Sequence, residues 1–156
     1  MPLLRDADKK AIQERFEESL QSDVKIRLFT QSDARTLLTI PGQPQQTNEY
    51  AKVTKEVLQE LAALSPKLSL EVLDVHGDDA AEARRLNIEQ VPAILLGDDA
   101  EGRLRFYGAP VGNEFMTVLT TIEGLSQATA PLPEHVMKAA QRIDEPVHLR
   151  VFVTPT

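Results

Sequence analysis

The chain has 156 residues and a net charge of −7, and it contains no cysteine, no tryptophan and three histidines. This length fits one domain, or one domain and part of a second, and the acidic charge argues against nucleic-acid binding, which needs a basic surface. Because cysteine is absent, the chain offers no thiolate nucleophile, no disulfide and no thiolate metal ligand.

Hydrophobic spacing predicts alternating helices and strands along residues 1–125. Apolar residues three or four positions apart indicate helices, and apolar residues at every second position indicate strands. Helices are predicted from Asp6, from Thr47 or Asn48, around Ala83 and around Val118, and strands over 24–30, 68–75, 92–96 and 103–107. The order α-β-α-β-α-β-β-α predicts an α/β fold, a mixed four-stranded sheet flanked by helices, with a right-handed crossover and a closing hairpin.

A linker and a partial repeat are predicted after the last of these helices. Residues 126–132 are small and marked by proline, which is typical of a linker. The segment 133–156 that follows carries a helical stripe and then an alternating apolar strand over 147–153. The predicted organisation is therefore one domain, a linker, and the first helix and strand of a second, incomplete unit.

The repeat is visible in the letters of the two strands. V-H-L-R-V-F at 147–152 matches V-K-I-R-L-F at 24–29 position by position, which indicates an internal repeat. The alternative is coincidence between two amphipathic strands. An unpaired alternating strand exposes free backbone groups, so it predicts edge pairing and a homodimer through 147–153.

No other residues of the chain form a pattern typical of a metal or cofactor site. The three histidines have no metal-ligand spacing. The pairs Asp78-Asp79 and Asp98-Asp99 lie in turns, where capping explains them. We expect no metal, no cofactor, no nucleic acid and no membrane partner, and the early charged residues without a secretory signal predict a cytoplasmic location.

Several longer phrases resemble a known family. The element order, with Pro92 opening the third strand, resembles the thioredoxin fold. The phrases L-Q-E-L at 58–61, Y-G-A-P-V-G-N-E-F at 107–115 and V-F-V-T-P-T at 151–156 are similar to the glutaredoxin-like, two-domain protein disulfide oxidoreductases. The 107–115 phrase is also similar to the N-terminal domain of the alkyl hydroperoxide reductase flavoprotein subunit, whose first half lacks the redox pair.

The resemblance implies a thioredoxin-like unit without its thiols. In the family a Cys-x-x-Cys motif opens the second helix, and Asn48 and Ala51 stand at its two cysteine positions. Thiol–disulfide exchange needs a thiolate to attack and a second thiol to resolve, and neither residue supplies one. The fold therefore carries over, and the chemistry does not. In the family the phrase at 151–156 is followed by the Cys-x-x-Cys of a second domain.

The resemblance also implies a binding groove. Spacing alone favours a trans Val91–Pro92 bond at a strand start, whereas in thioredoxin folds this proline is cis and the residue before it pairs with an extended peptide. The groove implied for this chain consists of Tyr50, Val91, Pro92, Gly108 and Ala109.

Two functions remain open at this point. The first is a redox-inactive half of a disulfide oxidoreductase, which supports thiol–disulfide exchange by a C-terminal Cys-x-x-Cys domain and so contributes to redox homeostasis. Its partner would be a protein, including its own second domain. The alternative is a stand-alone module that binds protein or peptide without catalysis.

Overall fold

The computed structural model describes residues 3–31, 46–127 and 133–151, with the backbone alone for 46–48. The elements are α1 (Asp6–Ser19), β1 (Val24–Thr30), α2 (Gln46–Ala62), β2 (Leu68–Asp74), α3 (Ala80–Arg85), β3 (Ala93–Leu96), β4 (Arg105–Tyr107), α4 (Asn113–Ser126) and α5 (Glu134–Ala140). This is the predicted order followed by one further helix. The predicted loop over 31–47 and linker over 126–132 lie mostly outside the described residues.

The four described strands form one mixed sheet in the order β2-β1-β3-β4. β1 pairs parallel with β2, while β1 with β3 and β3 with β4 pair antiparallel. β3 begins at Ala93, so Pro92 precedes the strand it was predicted to open. A proline at this position removes no donor from the ladder.

Helices cover both faces of the sheet, as predicted. Successive strand residues point to opposite faces, so β1 contributes to two apolar clusters. The larger cluster joins Ile26 and Leu28 to apolar residues of α1, α2 and α4, and the smaller one joins Phe29 to Ala83 and Leu86 at α3. Together they make the mixed sheet flanked by helices.

Arg27 is the one charged side chain of β1 that the sheet buries. Its guanidinium donates a hydrogen bond to the carbonyl oxygen of Asp99 at 2.7 Å and lies 3.5 Å from a carboxylate oxygen of Glu82. Its Nε is buried and has no partner among the described residues. Arg27 thus ties the centre of the sheet to α3 and to the turn between β3 and β4.

Polar contacts also fasten α4 to α1 and to the loop before β1. The Arg15 guanidinium pairs with the Glu123 carboxylate at 2.6 Å, which lowers the pKa of Glu123. The Ser126 hydroxyl accepts from the backbone N–H groups of Gln21 and Ser22 at 2.7 and 2.8 Å, and it donates to the Ser22 carbonyl at 2.7 Å. The end of α4 and the start of β1 are therefore held together.

The C-terminal segment differs from its prediction. The predicted helix is present as α5, but residues 147–151 do not form the strand predicted for 147–153, and residues 152 and 153 lie outside the described part. Every residue of 133–151 is exposed. An isolated strand has no ladder partner for its backbone, so alternation by itself does not produce a strand.

Among the described residues, no helix combines the length and the hydropathy that a membrane crossing requires.

Candidate functional site

An open pocket of about 230 Å³ lies where α2 meets the β3–β4 hairpin. Its lining residues are Tyr50, Gln90, Val91, Pro92, Tyr107 and Gly108. Four of the five groove residues predicted from the sequence are in this set. The fold therefore brings together residues that are up to 58 positions apart in the chain, between Tyr50 and Gly108 (108 − 50).

Tyr50 forms one wall of the pocket from the start of α2. Its side chain is 55% exposed, so its ring is available to a ligand. The hydroxyl of fully buried Thr54, one turn later, donates a hydrogen bond to the Tyr50 carbonyl at 2.7 Å. This hydrogen bond stabilises the first turn of α2. Leu58 and Leu61, further along the helix, pack into the larger apolar cluster and so fix α2 against the sheet.

The opposite wall is backbone-rich. The Val91–Pro92 peptide bond is cis, and Pro92 is buried while Val91 is half-buried. The Pro92 carbonyl accepts a hydrogen bond from the Gly108 N–H at 2.9 Å. Within the described residues, the N–H and C=O of Val91 make no hydrogen bond. They are available to an extended chain laid along the pocket, as in strand addition.

Gly108 occupies the left-handed region, with φ at +99°. A Cβ at this position would meet no atom of the described residues within 4 Å, apart from its own chain neighbours. The constraint is therefore backbone conformation, since side chains are rarely tolerated at such a φ. Glycine here allows the chain to leave β4 while its N–H stays bonded to Pro92.

The remaining predicted residues do not line this pocket. Ala109 is buried. Ala51 is 5% exposed and lines a second cavity, of about 500 Å³, between α2 and β2. Asn48 belongs to the first turn of α2, and its side chain lies outside the described part. Tyr50 and Ala51 thus face different surfaces.

Sequence reasoning missed Gln90 and Tyr107. Tyr107 pairs with Ala93 in the hairpin, which places it beside the Val91–Pro92 bond. The signal available was the hairpin itself, because its register fixes which residue of β4 faces the start of β3. Gln90 carried no signal beyond its position before Val91.

In the part of the chain that the structure describes, no three His, Asp or Glu side chains gather closely enough to hold a metal ion.

Comparison with known proteins identifies the fold. No family model and no curated protein sequence matches the chain. Among solved structures it is similar to the alkylhydroperoxide reductase AhpF of Enterococcus faecalis, with 20% identity, a TM-score of 0.63 and coverage of 86% of this chain and 58% of that chain. It is also similar to a protein disulfide oxidoreductase from Aeropyrum pernix, with 16% identity, a TM-score of 0.67 and coverage of 89% and 55%.

These similarities match the resemblance stated from the sequence, and they show that the chain has a thioredoxin-like fold. The chain spans little more than half the length of either protein.

Proposed function

We propose that this chain is a redox-inactive thioredoxin-like unit that holds an extended segment of a protein partner, while a second domain bearing Cys-x-x-Cys carries out thiol–disulfide exchange. The observation that carries the proposal is the pocket at Val91–Pro92, in a chain without cysteine. It holds an exposed tyrosine and the Val91 N–H and C=O, which have no partner in the described part of the chain.

Because this chain has no thiols, it can bind a protein partner but cannot carry out thiol–disulfide exchange on it. Exchange proceeds by attack of a thiolate on a disulfide sulfur. This chain has no cysteine and therefore no thiolate. Backbone pairing at Val91 needs no side-chain chemistry, so it survives the loss of the cysteines. The names of the two similar proteins, a disulfide oxidoreductase and an alkylhydroperoxide reductase, support a redox setting.

The second candidate is a stand-alone binding module with the same groove and no redox partner. The same observation favours it, because the pocket at Val91–Pro92 needs no thiol to bind an extended chain. The two functions share the binding step, and they differ in whether thiol–disulfide exchange on the bound partner comes after it.

The binding step is tested with a carboxymethylated insulin B chain as an extended probe, followed by fluorescence anisotropy. Tyr50→Ala removes an exposed aromatic wall, and we expect affinity to fall roughly tenfold, about 1.4 kcal/mol. Met116→Ala, an exposed apolar change on α4 outside the pocket, is the matched control and leaves affinity unchanged. Equal affinities for wild type and Tyr50→Ala would remove the groove from the function.

The two candidates are separated by the mass and thiol content of the protein in its native host. Alkyl adducts on a polypeptide longer than this sequence support the unit of a larger oxidoreductase. A mass equal to that of this sequence without adducts supports the stand-alone module. In insulin reduction, the chain alone stays at the buffer baseline under both.

A further inference from the structure

The sheet has two edges among the described strands: the seven-residue β2 and the three-residue β4, of which β2 is the longer. This strand is paired only on its β1 side among the described strands, so its other edge presents backbone donors and acceptors. Ser69, Glu71 and Val72 are exposed along it, and Leu70 is half-buried. An apolar stripe on one face and polar side chains on the other are therefore both open at this edge.

A cavity opens on the α2 side of the sheet, near the carboxyl ends of β1 and β2. It is the cavity of about 500 Å³ noted above, and Val72 and Asp74 of β2 line it together with Lys55, Glu56 and Gln59 of α2. Val72, which is 37% exposed, is open on this side of the sheet. A chain paired with the β2 edge would extend the sheet and cover Val72.

The segment 147–151 has the composition of such a chain. Val147, Leu149 and Val151 are 61%, 84% and 85% exposed, although all three are apolar. His148 and Arg150 alternate with them and are also exposed. The apolar side chains would face the α2 side of the sheet, and the basic ones would face the other side.

The pairing of β1 with β2 indicates which side chains fit beside β2. In the observed register Lys25 lies beside Ser69 and Arg27 beside Glu71, and the Lys25 ammonium is 2.9 Å from the Glu71 carboxylate. The segment 147–151 repeats the β1 pattern, with His148 and Arg150 in place of the two basic residues. It therefore offers the charge that the exposed Glu71 attracts.

We propose that residues 147–151 of one copy of this chain add as a fifth strand to the free edge of β2 in a second copy, with Arg150 beside Glu71. The exchange is reciprocal, so two copies form a closed dimer with two identical contacts. In either strand direction, this register places Leu149 and Val151 beside Leu70 and Val72. The contact is independent of the function proposed for the pocket at Val91.

Sedimentation equilibrium of the full chain tests the contact. We expect a dimer at tens of micromolar. Leu149→Lys places a charge against the apolar stripe and converts the protein to a monomer. Met116→Lys, at another exposed apolar residue, on α4, leaves the dimer intact. A monomeric wild type, or a Leu149→Lys protein that is still dimeric, would overturn the proposal.

A charge exchange tests the register. Arg150→Glu and Glu71→Arg each put like charges together, and we expect each to weaken dimerisation about fivefold. The double variant restores opposite charges and recovers most of the affinity. Circular dichroism of Glu71→Arg checks that the fold survives the loss of the contact with Lys25. Failure of the double variant to recover affinity, with the fold intact, would contradict the register.

Cross-linking identifies the second copy. Because the chain lacks cysteine, a Glu71→Cys chain mixed with an Arg150→Cys chain has only the two engineered thiols. We expect a mixed disulfide on oxidation, whereas Glu71→Cys mixed with Lys138→Cys forms little. A chain carrying both Glu71→Cys and Arg150→Cys that closes within itself at every concentration would show that the segment pairs with its own sheet, and would overturn the dimer.

Discussion

β1 and the segment 147–151 carry nearly the same sequence pattern and have opposite environments. Val24, Ile26 and Leu28 are 2%, 0% and 0% exposed in the middle of the sheet, whereas their counterparts Val147, Leu149 and Val151 are mostly exposed. β1 has β2 on one side and β3 on the other. The difference teaches that alternation decides which face a residue takes, and that neighbouring strands decide whether a strand exists.

The largest test of this contrast compares truncations of matched aliphatic residues. Ile26→Ala leaves a cavity in the larger apolar cluster, and we expect it to lower the free energy of unfolding by about 3 kcal/mol. Leu149→Ala removes exposed atoms, and at protein concentrations that keep the chain monomeric its effect should stay within about 0.5 kcal/mol. Urea denaturation measures both. A similar loss for the two variants would mean that 147–151 is packed within the monomer.

The second test compares the two arginines. Arg27→Ala loses the hydrogen bond to the Asp99 carbonyl and the packing of a buried side chain, and we expect a loss of about 2 kcal/mol. The value is below that of Ile26→Ala because the buried Nε, which has no partner among the described residues, lowers the net contribution of Arg27 to stability. Arg150→Ala should leave the monomer unchanged in the same denaturation experiment. A stabilised Arg27→Ala protein would show that burial of the charge costs more than its contacts return.

The smallest expected effect on stability is that of Asp99, whose carbonyl oxygen accepts a hydrogen bond from Arg27. The Arg103 side chain, with the backbone N–H groups of Arg103 and Glu101, lowers the pKa of Asp99 from its ordinary value of 3.8 to about 2. Because the folded pKa is the lower one, the contribution of Asp99 to stability is complete above about pH 4 and is lost as the pH falls towards 2. No counterpart of this turn adjoins Arg150 within the described residues.

Asp99→Asn isolates that contribution. We expect the variant to be less stable than wild type at pH 6 and to approach it at pH 2.5, as measured by the thermal unfolding midpoint at both pH values. Other carboxylates titrate over the same range in both proteins, so the difference between them reports on Asp99. A constant difference across this range would assign the effect of the substitution to something other than the Asp99 charge.

Much of the fold could be predicted from the sequence. Apolar stripes and alternation located each element of the first 125 residues, and the strand–helix–strand order with a closing hairpin gave the mixed sheet. The prediction for 147–151 went beyond what local pattern can support, because a strand depends on partners that are distant in sequence. The burial of Arg27 carried no local signal either, since it results from the turn at Asp99 lying against β1.

The candidate site was predictable only in part. Val91, Pro92 and Gly108 converge because one hairpin carries them. Tyr50 was found through the resemblance to a family, since nothing local links the start of α2 to the hairpin. Ala51 faces another cavity because the packing of Leu58 and Leu61 fixes the rotation of α2. This packing depends on residues distant in sequence, so the sequence alone did not predict it.

The hydrogen bonds between Ser126 and Ser22 have a topological consequence. They join residues 104 positions apart, one just before β1 and the other at the end of α4. The chain therefore enters β1 and leaves α4 at neighbouring points, and α1 precedes the point of entry. Polypeptide that continues after α4 therefore starts beside the entry to β1, and its length can change without altering the order of the strands.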